Sequence, residues 1–235
     1  MLAWLLLLRV GGYPFDLEKV ISCYPAIKRA MKYIKRDTVK ETKRFDKMVK
    51  FYQSKLTLPR LMISQHIGIA VEGFLTMFQC KGPLIHIMMY PSLMKAYRTL
   101  LSRFIKESIL DKTLDKDLAK INVEDRGNKL KKHVIPVNAQ KEILGLSDLE
   151  KAKLFKETDD IYVAVTLHLK KKLPINNTFI QDVVVIDPQK RTSVSTVKIK
   201  RLAYKMGISD KEIDEIIDEL PSYKIDSNIE DIISS

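Results

Sequence analysis

Two cysteines, eight glycines and nine prolines among 235 residues rule out several kinds of fold at once. Cys23 and Cys80 make no disulfide framework and suit a reducing compartment. So little glycine and proline argues against a sandwich or barrel built on many tight turns. No phosphate-cradling G-x-x-x-x-G-K-[ST] loop, G-x-S-x-G elbow or G-x-G-x-x-G turn occurs. His66, His86, His133 and His168 are scattered, and Cys80 with His86 has no second ligand pair beside it, so no zinc site is expected. Two-metal phosphoryl chemistry needs carboxylates that converge from separate rigid elements. Asp111, Asp115 and Asp117, or Asp159 and Asp160, are clustered along the chain instead and read as surface charge. No catalytic residue, metal or cofactor is therefore expected.

Long apolar runs are also missing. MLAWLLLLRV at the start has no basic segment before it and no A-x-A-like site after it, so a first helix is expected there rather than a signal peptide. It is too short to span a bilayer, and no membrane span is expected elsewhere.

Positive charge, by contrast, is plentiful. The formal net charge is +12, in a chain that is 46% hydrophobic and 30% charged and so globular in composition. Between Lys28 and Arg60 a ladder of lysines and arginines faces only Asp37, Glu41 and Asp46, whereas the stretch from Asp210 to Asp231 is strongly acidic. Such asymmetry implies a basic face and an acidic tail. The face expected to meet nucleic-acid phosphates comprises Lys32, Lys35, Lys43, Lys47, Arg98, Arg103 and Lys106. Tyr33, Phe45, Phe51, Tyr52 and Tyr97 are interleaved with these cations, but their helical spacing fits a core better than a stacking platform. No recognition-helix motif that would read bases is present.

Helical periodicity dominates. Leu17, Val20 and Ile21 share a face, and Pro25 suits the first turn of a next helix holding Ile27, Met31 and Ile34. Phe45 to Tyr52 reads as a short amphipathic helix, and Leu58 to Phe78 as a longer apolar one that stops at Cys80-Lys81-Gly82-Pro83. After Pro91, Leu93, Tyr97, Leu100 and Phe104 form one apolar row with Met94, Leu101 and Ile105 beside it. Residues 111–133 read as a polar loop with a short helical turn. Ser147 and Glu150 form a capping box that opens a helix lasting until Pro174, with Leu149, Ala152, Phe155, Tyr162, Val165, Leu169 and Leu173 inward and Thr158 and Asp159 interrupting that face. Ser193 to Met206 is helical and stopped by Gly207. Ser209 and Glu212 make a second capping box, and Pro221 closes that last helix. Propensity alone leaves FIQDVVVID, residues 179–187, between strand and helix, and the absence of a partner strand favours a short helix. The expected architecture is all-α, an irregular array of about seven to nine helices. Residues 1–24 form an ill-defined apolar segment, 25–220 the helical domain and 221–235 an acidic tail.

The order of several short stretches resembles the helical region of proteins derived from hAT-superfamily (hobo/Activator-type) transposases. Those stretches are Phe74-Leu75, Phe78-Gln79, Lys81-Gly82-Pro83, Leu101-Ser102-Arg103-Phe104-Ile105-Lys106, Ser147-Asp148-Leu149, Leu173-Pro174 and Ile186-Asp187-Pro188. The likeness covers roughly residues 25–220, and it implies a helix over 179–186. Such transposases carry an RNase H-like core with three metal-binding carboxylates, split by a helical insertion. The resemblance implies the insertion-like part here, without the cysteine-x-x-histidine motif: Ala26 and Pro83 stand three residues after the two cysteines. It therefore implies a non-catalytic, domesticated remnant, intracellular and nuclear, with weak, largely sequence-independent association with DNA, RNA or chromatin. The alternative is a protein–protein or self-association scaffold without nucleic acid, with apolar surface exposed at Met88, Met89 and Val183–Ile186.

Overall fold

A computed structural model describes residues 17–33, 42–79 and 85–225. The opening MLAWLLLLRV, Lys35, the Cys80-Lys81-Gly82-Pro83 stop and the end of the acidic tail lie outside the described residues.

The protein is all-α. The described residues form ten α-helices, eight of them eight residues or longer. In chain order these are α1 (Leu17–Tyr33), α2 (Thr42–Gln53), α3 (Thr57–Gln79), α4 (Ile85–Leu101), α5 (Glu107–Leu110), α6 (Val137–Leu144), α7 (Asp148–Lys172), α8 (Thr178–Val183), α9 (Thr196–Lys205) and α10 (Asp210–Ile225). Short 3₁₀ turns occupy Asp115–Lys120, Arg126–Asn128, Val184–Ile186 and Pro188–Ser193. The apolar 179–186 stretch is thus helical, as expected.

Two compact units divide the chain, one holding residues 1–72 and 97–171, the other 73–96 and 172–235. The expected domain start at residue 25 falls inside α1. A helix passes through that point because Pro25 breaks a single backbone hydrogen bond, while Tyr24 beside it is buried against α2 and keeps the segment packed. The Tyr24 hydroxyl donates to the Tyr52 carbonyl at 2.8 Å, and the two rings lie 5.8 Å apart. Pro91 and Pro221 likewise sit inside helices rather than at their ends. Past Pro91 the next turn buries Leu93, Met94 and Tyr97, and past Pro221 the last turn keeps Tyr223 on an apolar cluster. Burial of large side chains, at about 1.5–3 kcal/mol each, offsets the lost bond.

In the first unit, Leu100, Leu101, Phe104 and Tyr162 are fully enclosed, and the Phe104 and Tyr162 rings stack 5.2 Å apart. Arg60 of α3 forms a two-pronged ion pair with Glu157 of α7, at 2.8 and 2.7 Å. Both capping boxes form. The Ser147 and Ser209 amides and hydroxyls donate to Glu150 and Glu212, whose own amides donate back to the serine hydroxyls. The row that α7 buries is Leu154, Thr158, Ile161, Tyr162 and Thr166, which shares only Tyr162 with the expected row beginning at Leu149. Leu149 is 82% exposed. Thr158 belongs inside because its hydroxyl donates to the Leu154 carbonyl at 2.8 Å, so no polar atom is stranded there.

The second unit has its own core of Val185, Val194, Leu202 and Leu220, packed with Val183, Ile199 and Tyr223. Gly207, with φ at 76°, makes the turn from α9 to α10, a conformation glycine adopts without strain.

Candidate polyanion-binding surface

The seven cations expected on one face meet different fates. Lys47 is exposed on α2, and its neighbour one turn on, Lys50, is exposed as well. The side chains of Lys32 on α1 and Lys43 on α2 lie outside the described residues, as does the whole of Lys35.

The three cations from the end of α4 onward do not join that row. Arg98 donates from Nε to Asp115 at 2.9 Å, from Nη1 to the Leu110 carbonyl at 3.0 Å and from Nη2 to the Thr113 carbonyl at 2.8 Å. It pins the 110–115 segment to α4. Arg103 is buried, donating to the His66 carbonyl, with the Tyr162 side chain close enough to interact with its charge. A guanidinium with five donors can satisfy carbonyls on a neighbouring helix, and here that capacity is used inward. Lys106 donates through Nζ to the Gly127 carbonyl and through its amide to the Asn128 carbonyl. The expectation of Arg103 on a phosphate-facing surface is therefore corrected, and Arg98 and Lys106 act as internal fasteners.

What these residues fasten is a feature the sequence reading passed over as a polar loop. Residues 103–106 and 128–134 run side by side. The Leu130 amide donates to the Phe104 carbonyl and the Val134 amide to the Arg103 carbonyl, each at 2.8 Å, around an isolated antiparallel bridge between Ile105 and Lys129. Asp159 of α7 holds the same stretch from the other side, accepting from Lys129 at 2.7 Å and lying 3.0 Å from His133 Nε2. The Tyr162 hydroxyl donates to the Val134 carbonyl at 3.2 Å. Arg126, Lys131 and Lys132 remain exposed on this fixed loop. The signal that could have marked them was the RGNKLKK string itself, with four cations in seven residues.

Electrostatics follow burial. Desolvation lowers the Arg103 pKa and raises that of Tyr162. Burial, and then the nearby Arg103 charge, lower the pKa of His66. The Ser147 amide and hydroxyl, with a smaller part from Lys55, hold the Glu150 carboxyl below its ordinary value.

Among the aromatics expected in the core, Tyr97 is buried and Phe51 and Tyr52 are half-buried, but Tyr33 is exposed at the end of α1. Phe45 lies outside the described side chains. Met88 and Ile186 are exposed, whereas Val185 is buried in the second unit's core. Among the described residues no group of three or more His, Cys, Asp or Glu could hold a metal ion, and no helix is long and apolar enough to cross a membrane. No family model, no curated protein and no solved structure matches the chain.

Proposed function

We propose that this is a non-catalytic, hAT-transposase-derived nuclear protein whose first unit associates with nucleic acid or chromatin through cations, largely without regard to sequence. The order of short stretches from Phe74 to Pro188 supports the origin. One observation carries the binding: Lys47 and Lys50 on α2 and Arg29 on the packed α1 are exposed and form no ion pair among the described residues, and exposed Lys55 just beyond α2 is offset only in small part by Glu150. Cations left free in this way neutralise phosphates and release counterions, which gives affinity that falls steeply with salt. The test is fluorescence anisotropy with labelled duplex and single-stranded DNA between about 50 and 200 mM salt, where several phosphate contacts cost orders of magnitude in affinity. The combined variant K47Q/K50Q/K55Q is expected to bind more weakly with a shallower salt slope. Negligible binding by the folded protein overturns the reading.

A second reading, an assembly scaffold, is favoured by apolar exposure at the corner between α6 and α7, where Leu144 is 79% and Leu149 82% exposed. Light scattering behind size exclusion separates the two. A concentration-dependent oligomer abolished by Leu144→Ser with Leu149→Ser supports the scaffold, and a monomer that binds DNA supports the first reading.

A further inference from the structure

We infer that the 126–132 loop is a preformed contact for the backbone phosphates of double-stranded nucleic acid, a proposal that rests on the binding reading above and names a second element that carries it. Non-specific phosphate contact asks for cations that are free, solvent-facing and held still, so that little ordering entropy is lost on binding. The loop meets each requirement. Arg126, Lys131 and Lys132 are exposed and form no ion pair among the described residues. Arg126 and Lys132 are six residues apart, so even a fully extended chain separates their backbones by no more than about 20 Å, a span that covers several phosphates of one strand.

The stillness comes from side chains that point the other way. Lys106 binds the Gly127 carbonyl, the Asn128 side chain donates to the Asn122 carbonyl at 2.9 Å, and Asp125 accepts from the Gly127 amide at 2.8 Å. Asp159 then takes up the charge of Lys129 at 2.7 Å, which turns that lysine into an anchor and leaves the other three cations to solvent. Glu124 and Asp125 are the loop's own negative charges, both exposed at its leading end.

Duplex is favoured over single strands because the aromatics at this junction are closed off. Phe104 and Tyr162 are buried against each other, so the loop offers no ring on which an unpaired base could stack. Anionic membrane headgroups share the charge of duplex phosphates, and exposed Val134 and Val137 adjoin the loop, so a vesicle comparison separates the two.

The experiment is a salt titration of the full chain with a labelled 20-base-pair duplex, comparing wild type, R126Q/K131Q/K132Q, K47Q/K50Q/K55Q and Glu124→Gln, with circular dichroism to confirm helicity. Each phosphate contact contributes about 0.9 to the slope of log affinity against log salt, so loss of three is expected to make it shallower by about 2–3. Glu124→Gln is expected to tighten binding several-fold. Duplex binding with a slope unchanged in the loop variant, but reduced in the α2 variant, overturns the loop proposal and leaves the function standing. No duplex binding by wild type overturns both. Loss in the loop variant of binding to anionic phosphatidylserine vesicles, with duplex binding intact, also overturns it. A preference of wild type for single strands that the loop variant abolishes counts against the closed-aromatic argument and the duplex assignment alike.

Discussion

Arg103 brings a positive charge into a place where its neighbours are neutral, the His66 carbonyl to which it donates and the Tyr162 side chain. Its effect is felt one residue type further on. The His66 imidazole, already disfavoured as a cation by burial, is pushed the same way by the guanidinium. The folded protein therefore binds a proton at His66 less readily than the unfolded chain, whose histidine titrates near its ordinary value of 6.5. The unfolded state holds more protons in that window, so stability rises with pH there. The His66 contribution is complete above about 6.5 and is lost as pH falls toward the lower folded value, with a slope that one proton limits to about 1.4 kcal/mol per pH unit. Urea denaturation of wild type between pH 5 and about 8 is expected to show this decline. His66→Gln keeps the backbone carbonyl that Arg103 needs and should flatten the curve in the same window. Parallel curves for the two proteins would mean that His66 is equally basic folded and unfolded.

Among the elements, α8 and α9 are joined by an arrangement whose two sides are unequal. Asp182 is fully buried, while the cations it binds, Arg201 and Lys205, are 46% and 32% exposed at the side chain. Removing a cation strands a buried carboxylate, whereas an exposed cation that loses its partner is rehydrated. Arg201, with both Nε and Nη2 on the two carboxylate oxygens, is the stronger tie. Lys205 stands 3.6 Å from Asp182 and also donates to Thr178. Arg201→Ala is expected to lower the denaturant midpoint more than Lys205→Ala does, each at unchanged slope. Equal costs would sink the assignment. Neither residue stood out in the sequence, since Asp182 lies within FIQDVVVID and a carboxylate there has no local signal of its partner nineteen residues on. The capping boxes at Ser147 and Ser209 were legible because both halves of each lie within four residues. The buried row of α7 was not: Thr158 and Thr166 look polar until a backbone carbonyl or a packed neighbour is known. The three internal prolines misled for a related reason, since what carries a helix through them is tertiary burial on the far side.

At the scale of the whole molecule, the charge sum of +12 suggested one basic face, and three of its seven expected members, Arg98, Arg103 and Lys106, are hydrogen-bonded to backbone carbonyls instead. Arg98 in the last turn of α4, and Arg103 and Lys106 just past its buried end, act as fasteners because backbone carbonyls lie opposite them, which a string of residues cannot show. The two compact units raise a further expectation, because each has an interior of its own: Leu100, Leu101, Phe104 and Tyr162 in the first, Val185, Val194, Leu202 and Leu220 in the second. Regions with separate cores open separately, and amide exchange follows those boundaries rather than the order of the chain. Arg201→Ala weakens only the second core. Hydrogen exchange read by mass spectrometry is therefore expected to rise across 178–225 in that variant, with 103–134 and 148–166 keeping wild-type protection. The helices α3 and α4 are the sharpest reporters, since each passes from one unit to the other between residues 72 and 73 or 96 and 97. Faster exchange confined to their second-unit turns would mark the boundary at those residues. Equal acceleration along the full length of both helices and through α7 would show that the two cores unfold as one.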